Sequence, residues 1–243
     1  MTERAPFQDE RRQLISGTDL FPLHASRCPE EAAIGVAEQT RLSMHDWVSQ
    51  FLGMPHPELH APDPNRPVCP YVPAALKCGS IWIRVIEDTV LTEETIRGIV
   101  MRSRGEFLEM EPRRGQGATY KAIIIAFPHL DSSLTPVVID GIQRKLKIDF
   151  VRHGLILGEF HEANNTPGLH NPSFFPLRTP VSALAIRFMV QSDILFLQDP
   201  IYTSAERIEF LNAFLRQDFN ANVEEAKQAL TEAYREQGRQ TSN

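Results

Sequence analysis

Two of the three cysteines stand directly before proline, as Cys28-Pro29 and Cys69-Pro70, in a chain with 18 prolines among 243 residues. Chance gives few such pairs. Proline lacks the N–H that a following residue would aim near the sulfur, and it stiffens the approach, which suits a thiolate that ligates haem iron. The competing account is structural, because free cysteine is among the most buried residue types and packs as a small hydrophobe. Cys78, in KCGS, has no flanking feature of this kind.

A second cluster lies in GEFHEANNTPGLHNPSFFPLR, which holds His161, Glu162, His170, Asn171 and Arg178. Neutral imidazole offers a nitrogen lone pair near physiological pH, so His161 and His170 are candidates for axial haem ligation, non-haem metal ligation or general base work. Their nine-residue separation matches no zinc motif, although His161, Glu162 and His170 are the ingredients of a facial triad. The local alternative has His170 and Asn171 satisfying loop backbone groups and His161 capping a strand. Arg178 and Arg187 present rigid forks of donors suited to a carboxylate of haem or substrate. Arg187 sits in the apolar run AIRFM, so it either faces solvent or has a specific partner, since an unpaired buried charge is costly. Arg113 and Arg114 read as a solvated turn or an anion site. Ser132 and Ser133, beside Asp131 and His129, lack the GxSxG elbow of a hydrolase, and no glycine-rich nucleotide signature is present.

Elements must position these residues. The segment 29–52 carries Ile34, Ala37, Leu42, Trp47, Val48, Phe51 and Leu52 near one face of a 3.6-residue period, and Gly53 and Pro55 stop it. MPHPELHAPDPNRPVCP then has six prolines in seventeen residues, and without the Gly/Ser content of a tether it reads as an ordered wall of a pocket. Strands are predicted over 80–86, 120–127, 153–160 and 183–190, with AIIIAF as the central one, buried on both faces. Helices are predicted from Thr92, from Ser133 as cap with Pro136 in the first turn, from a Thr203/Glu206 capping box, and from Asn222 to near Gly238. The long loop 161–180 separates the last two strands, and loops of that length in a compact domain are usually functional. The reading is an α+β fold, a mixed sheet of about four strands covered by helices, in a single domain over 29–238. Residues 1–28 are expected to form a partly disordered extension and 239–243 a disordered tail.

Composition narrows the partners. A net charge of −6 argues against a nucleic-acid binder, whose affinity rests on a basic surface. No apolar run is long enough for a bilayer and the charged start has no signal-peptide core, so a cytoplasmic protein without membrane contact is expected. Three cysteines without a CxxC pair suggest reduced thiols. A small-molecule substrate and a homodimer are the expected partners, the dimer only because twofold assemblies are commonest.

CPYVP, AIIIAFP, GEFH and PGLHNP resemble the motifs of a bacterial family of unknown function marked by CP and PGLHN, over about residues 65 to 200. More distantly, the order of a Cys/Pro segment, ALKCGSIWIRVI, AIIIAFP, a helix and an NP-containing loop is similar to that of the YqcI/YcgG family. That family includes haem-dependent enzymes that N-hydroxylate guanidine or amine groups in natural-product pathways. Its segment before the first strand is closer to FPC than to the CPYVP found here. The resemblance implies a haem-dependent oxygenase acting on a small amine, guanidine or amino acid. His170 is then the first candidate iron ligand and Cys69 the second, with Arg178 and Asn171 toward the cofactor and His161 and Arg187 at the catalytic position. Two other readings stand beside it: a non-catalytic haem-sensing or partner-binding module, and a non-haem iron enzyme.

Overall fold

Five strands, β1 (Phe21–Pro22), β2 (Ile81–Val85), β3 (Ala122–Ala126), β4 (Leu155–Phe160) and β5 (Ala183–Phe188), form one mixed sheet in the order β1-β2-β3-β5-β4. They are seen in a computed structural model that describes residues 19–23 and 35–240. Isoleucine-rich β3 is the central strand. β-branched side chains fit a pleated surface covered on both sides, and its residues divide accordingly, Ile123 and Ile125 to one core, Ile124 and Ala126 to the other. β2 pairs parallel with β3, whereas β5 is antiparallel to both β3 and β4. β4 therefore runs in the same direction as β2 and β3. The carboxyl ends of all three strands lie at one end of the sheet, where the long loop returns the chain from Phe160 to Ala183.

One face of the sheet carries α1 (Val36–Asp46), which continues as a π-helical stretch over Trp47–Leu52, and the short α2 (Val72–Lys77). Met44, Trp47, Val48, Val72 and Ala75 pack there on Ile81, Ile83 and Ile124. The other face carries α3 (Glu93–Glu109) and, after the single turn α4 (Gln116–Thr119) that leads into β3, α5 (Thr135–Arg152). The buried positions of α3 are Ile96, Ile99, Val100, Ser103 and Phe107, and those of α5 include Ile139, Ile142, Leu146 and Phe150, both at helical spacing. Each such fully buried Ile or Phe contributes roughly 2 kcal/mol of transfer free energy. Beyond β4, α6 (Ile194–Leu197), α7 (Ser204–Leu215) and α8 (Val223–Gln240) close a third cluster around Phe210, Leu211 and Phe214.

The domain is α+β, as expected, but the sheet has five strands rather than about four. The fifth is Phe21–Pro22, antiparallel to β2 and too short to leave a periodic signal. Thr92 caps α3 by accepting from the Thr95 N–H at 3.1 Å, and Thr203 and Glu206 form the expected capping box. Ser133 is not a cap: its hydroxyl donates to Asp131 Oδ1 at 2.7 Å, an Asx-type turn, and the helix starts two residues later. Asn222 adopts the left-handed region, φ 61°, and spends its side-chain amide on the Gln191 carbonyl at 2.9 Å. α8 runs past Gly238 to Gln240. No helix among the described residues is long and apolar enough to cross a membrane. Cys28 and most of the N-terminal extension lie outside the described residues.

Candidate functional site

The proline-rich segment is an ordered wall. Val68 N–H donates to the Met54 carbonyl at 3.0 Å and Cys69 N–H to the Leu52 carbonyl at 2.8 Å, and Pro55 is bridged to Pro67 next along. These bonds close the segment on itself at the end of the π-helical stretch. They deliver Cys69 half-buried against the α1/α2 core, where it is a free thiol. The wall is also laced to the PGLHNP loop. Asn171 donates its amide to the Glu58 carbonyl at 2.8 Å, and the Phe174 ring stacks on His56 with centroids 4.9 Å apart and lies 6.0 Å from Phe51. Two segments more than a hundred residues apart in sequence, one holding Cys69 and the other His170, are thus side by side.

Within the loop the polar residues have different fates. His170 is exposed, as is Glu162. Asn171 uses its oxygen to accept from Ser173 N–H at 2.9 Å, the local duty foreseen for it. Arg178 donates to the Asn164 carbonyl and to Asn165 Oδ1, each at 2.9 Å, with its guanidinium over the Phe175 ring, so it braces the loop. Its own carbonyl accepts the Trp47 indole N–H at 2.8 Å. Engaged in this way, Arg178 does not present a free fork to a ligand.

Arg187, for which solvent and a specific partner were both open, has the partner. Asp193, 1% exposed, accepts from both terminal nitrogens of the guanidinium at 2.7 and 2.6 Å, and also from the Val190 N–H at 2.7 Å. The side chain lies on the α1/α2 face, within electrostatic range of Cys69 and Tyr71. Cys69 and Arg187, chosen separately from sequence, therefore share one neighbourhood. His161 belongs elsewhere, on the opposite face at the carboxyl end of β4. It is 1% exposed, its Nε2 lies 2.9 Å from Asp140 Oδ1 on α5, and its Nδ1 is buried without a hydrogen-bond partner. With Asp140 accepting, the proton sits on Nε2 and the lone pair on Nδ1.

Sequence reading missed the most perturbed groups. Asp140, Gln143, Arg144 and Lys147 follow one another at i, i+3, i+4 and i+7 along α5 and face Glu159 on β4 and His161 just past its end. Lys147 is buried, donates to the Phe196 carbonyl at 2.9 Å and lies 3.8 Å from the Tyr202 ring centroid. Burial brings its ammonium down to about 8, against the pull of Glu159 and other acids. Burial likewise pushes the Glu159 carboxyl up to about 7, with Asp140 adding to the rise, and the Tyr202 phenol up to about 12. The signal was the polar stripe beside the apolar Val138, Ile142 and Leu146 of α5. Among the described residues no group of three or more His, Cys, Asp or Glu side chains could hold a metal ion.

Fold and site together define a class: a mixed-sheet α+β domain in which a Cys-Pro wall is laced to a His- and Asn-bearing loop, with perturbed acids and bases along the outer strand. The chain belongs to the family described as a domain of unknown function, DUF6875, whose model matches residues 41–230. That span runs from the middle of α1 into α8 and omits only β1 from the sheet. No curated protein and no solved structure matches the chain.

Proposed function

We propose that this chain is a haem-dependent oxygenase acting on a small amine, guanidine or amino acid, with Cys69 as its iron ligand. The observation that carries the reading is the lacing of the Cys69 wall to the PGLHNP loop through Asn171, Glu58, His56 and Phe174. Haem brings four nitrogen donors of its own and asks the protein for one strong ligand, so a lone half-buried thiol is a sufficient donor set. A bare iron ion needs more. His161 is buried on Asp140 while Glu162 and His170 are exposed, which favours haem over the triad of the non-haem reading.

The same geometry moves the preferred ligand from His170 to Cys69. Bound haem would supply dioxygen activation. The chain's own residues do the rest: Phe51, His56 and Phe174 give an aromatic wall, and Arg187, held by Asp193, sets a guanidinium in the neighbourhood of Cys69. Exposed His170 lies in the loop that adjoins the wall.

The test is an absorption spectrum of protein expressed with ample haem, with iron quantified on the same sample. A Soret band with near-stoichiometric iron is expected, abolished or shifted in Cys69→Ser and kept in His170→Ala. Iron without a Soret band would return the weight to a non-haem centre. A band lost in His170→Ala but unchanged in Cys69→Ser would make imidazole the ligand. The absence of both iron and a Soret band would overturn the reading.

A further inference from the structure

β5 is an interior strand, yet its two faces are covered unequally. Leu184 and Ile186, toward α3 and α5, are sealed at 0% exposure, whereas Ala185 and Arg187, on the α1/α2 side, stay half-buried. The register carries this opening across the sheet. Ala185 lies between Ile124 of β3 and Gly158 of β4, and Arg187 lies between Ala122 and Ile156. Of these six residues only Ile124 is buried.

The opening is concave. Its floor is Ala122, Ala185 and Gly158, on three adjacent strands, where β2 on the same face carries Ile81, Ile83 and Val85. Arg187 reports the depth: desolvation is the largest influence on its guanidinium, although 33% of its side-chain surface is open. Crowding together with solvent access is the condition of a group that lines a hollow. The Phe160 ring closes one end, so near that a Cβ on Gly158 would come within 3.0 Å of it. Cys69 packs on the same core as Ala122, Ala185 and Phe160, which brings the thiol to the rim.

The chemistry of the floor decides what fits. β5 bonds to β3 on one side and to β4 on the other, so its backbone groups are spent in the ladder and offer a ligand neither donor nor acceptor. Polarity is confined to the rim, at Arg187 with its partner Asp193. From β3 to β4 the floor spans two strand spacings, about 10 Å. An occupant apolar across a broad flat face and polar only at its edge suits this surface, whereas the charges of a bare amino acid would find no partners on it. We propose that Ala122, Ala185 and Gly158 are the seat of a porphyrin plate, and that the small size of their side chains determines which ring system the site accepts. The identity of the plate rests on the haem reading above.

Iron-free protoporphyrin IX is the probe, because it engages the seat and asks nothing of Cys69. Fluorescence anisotropy titrations on the full chain should show saturable binding to wild type and equal binding to Cys69→Ser. Ala185→Leu, which fills the floor, should weaken binding by about tenfold or more. Wild type that binds no protoporphyrin overturns the proposal. So does Ala185→Leu that binds it as wild type does, with matching circular dichroism. Loading the same variants with haem separates this inference from the reading it rests on. A Soret band lost in Cys69→Ser but untouched in Ala185→Leu would overturn the seat and leave the ligand in place. Protoporphyrin binding lost in Ala185→Leu, beside a Soret band indifferent to Cys69→Ser, would uphold the seat and remove the ligand. Ala122→Leu, on the β3 side of the floor, repeats the test should Ala185→Leu misfold.

Discussion

Replacing Asp193 by alanine should destabilise the domain by about 3 kcal/mol. The figure follows from two losses. The Val190 N–H, bonded to Asp193 at 2.7 Å, becomes a buried orphan. That costs about 1–2 kcal/mol. The Arg187 guanidinium loses both charge-assisted bonds, and stripping one partner from a fully buried pair costs about 3–5 kcal/mol. Arg187 keeps 33% of its side-chain surface exposed. Water therefore recovers much of that term and roughly 1–2 kcal/mol of it remains. In a domain of this size the sum lowers Tm by about 6–12 °C. Urea and thermal unfolding followed by circular dichroism measure it. Asp193→Asn keeps an acceptor for Val190 but no charge, so it should fall about midway. A loss below about 1 kcal/mol for Asp193→Ala would refute the claim that this carboxylate is what permits an arginine in β5.

Glu159 binds its proton more tightly in the folded chain, so the stability it lends is complete below its ordinary 4.5 and lost as pH rises through about 7. Glu159→Gln should flatten that decline in unfolding free energy measured by urea titration across the window. Lys147 is the opposite case: its contribution is present above the ordinary 10.5 and lost as pH falls through about 8, and Lys147→Met should remove that slope. Thr203→Ala breaks a reciprocal capping box and should cost about 1 kcal/mol in the same assay. In Asp140→Asn the acceptor for the His161 Nε2–H is altered, and the imidazole nitrogen shifts in NMR should change; unchanged shifts would deny the tautomer assigned above.

Much of the fold was legible because local rules and packing agree. AIIIA is apolar throughout and carries three consecutive β-branched isoleucines, and no half-exposed site suits such a run, so its place at the centre of the sheet could be read directly. Thr92 and the Thr203/Glu206 pair were equally plain, since a cap involves only residues three apart. Ser133 failed as a cap because Asp131, two residues before it, offered its hydroxyl a charged acceptor. Phe21–Pro22 could not be read, because two residues carry no period. For the site, the cost of a bare charge among isoleucines left Arg187 either facing solvent or partnered, and nothing in the sequence chose between the two, because Asp193 lies past the strand end, where no spacing rule points. Glu159 was invisible because its perturbation comes from burial beneath α5 and Tyr202, which only the tertiary arrangement creates.

The helix that enters the domain carries a spare residue. Gly53 N–H bonds to the Val48 carbonyl five positions back, at 2.9 Å, and the turn over Trp47–Leu52 is correspondingly wide. Such a turn fits one residue more into the same sweep of the helix, so the flanking turns stay in phase while the extra residue is held in a widened ring. Trp47 is pinned to Arg178 and Phe160 at its start, and the Leu52 carbonyl at its end accepts the Cys69 N–H. The widened ring is thus the joint between the sheet-packed helix and the wall that carries Cys69. A chain one residue shorter there should keep the sheet and its cores, as judged by near-wild-type circular dichroism, yet lose protection from hydrogen exchange in the wall alone.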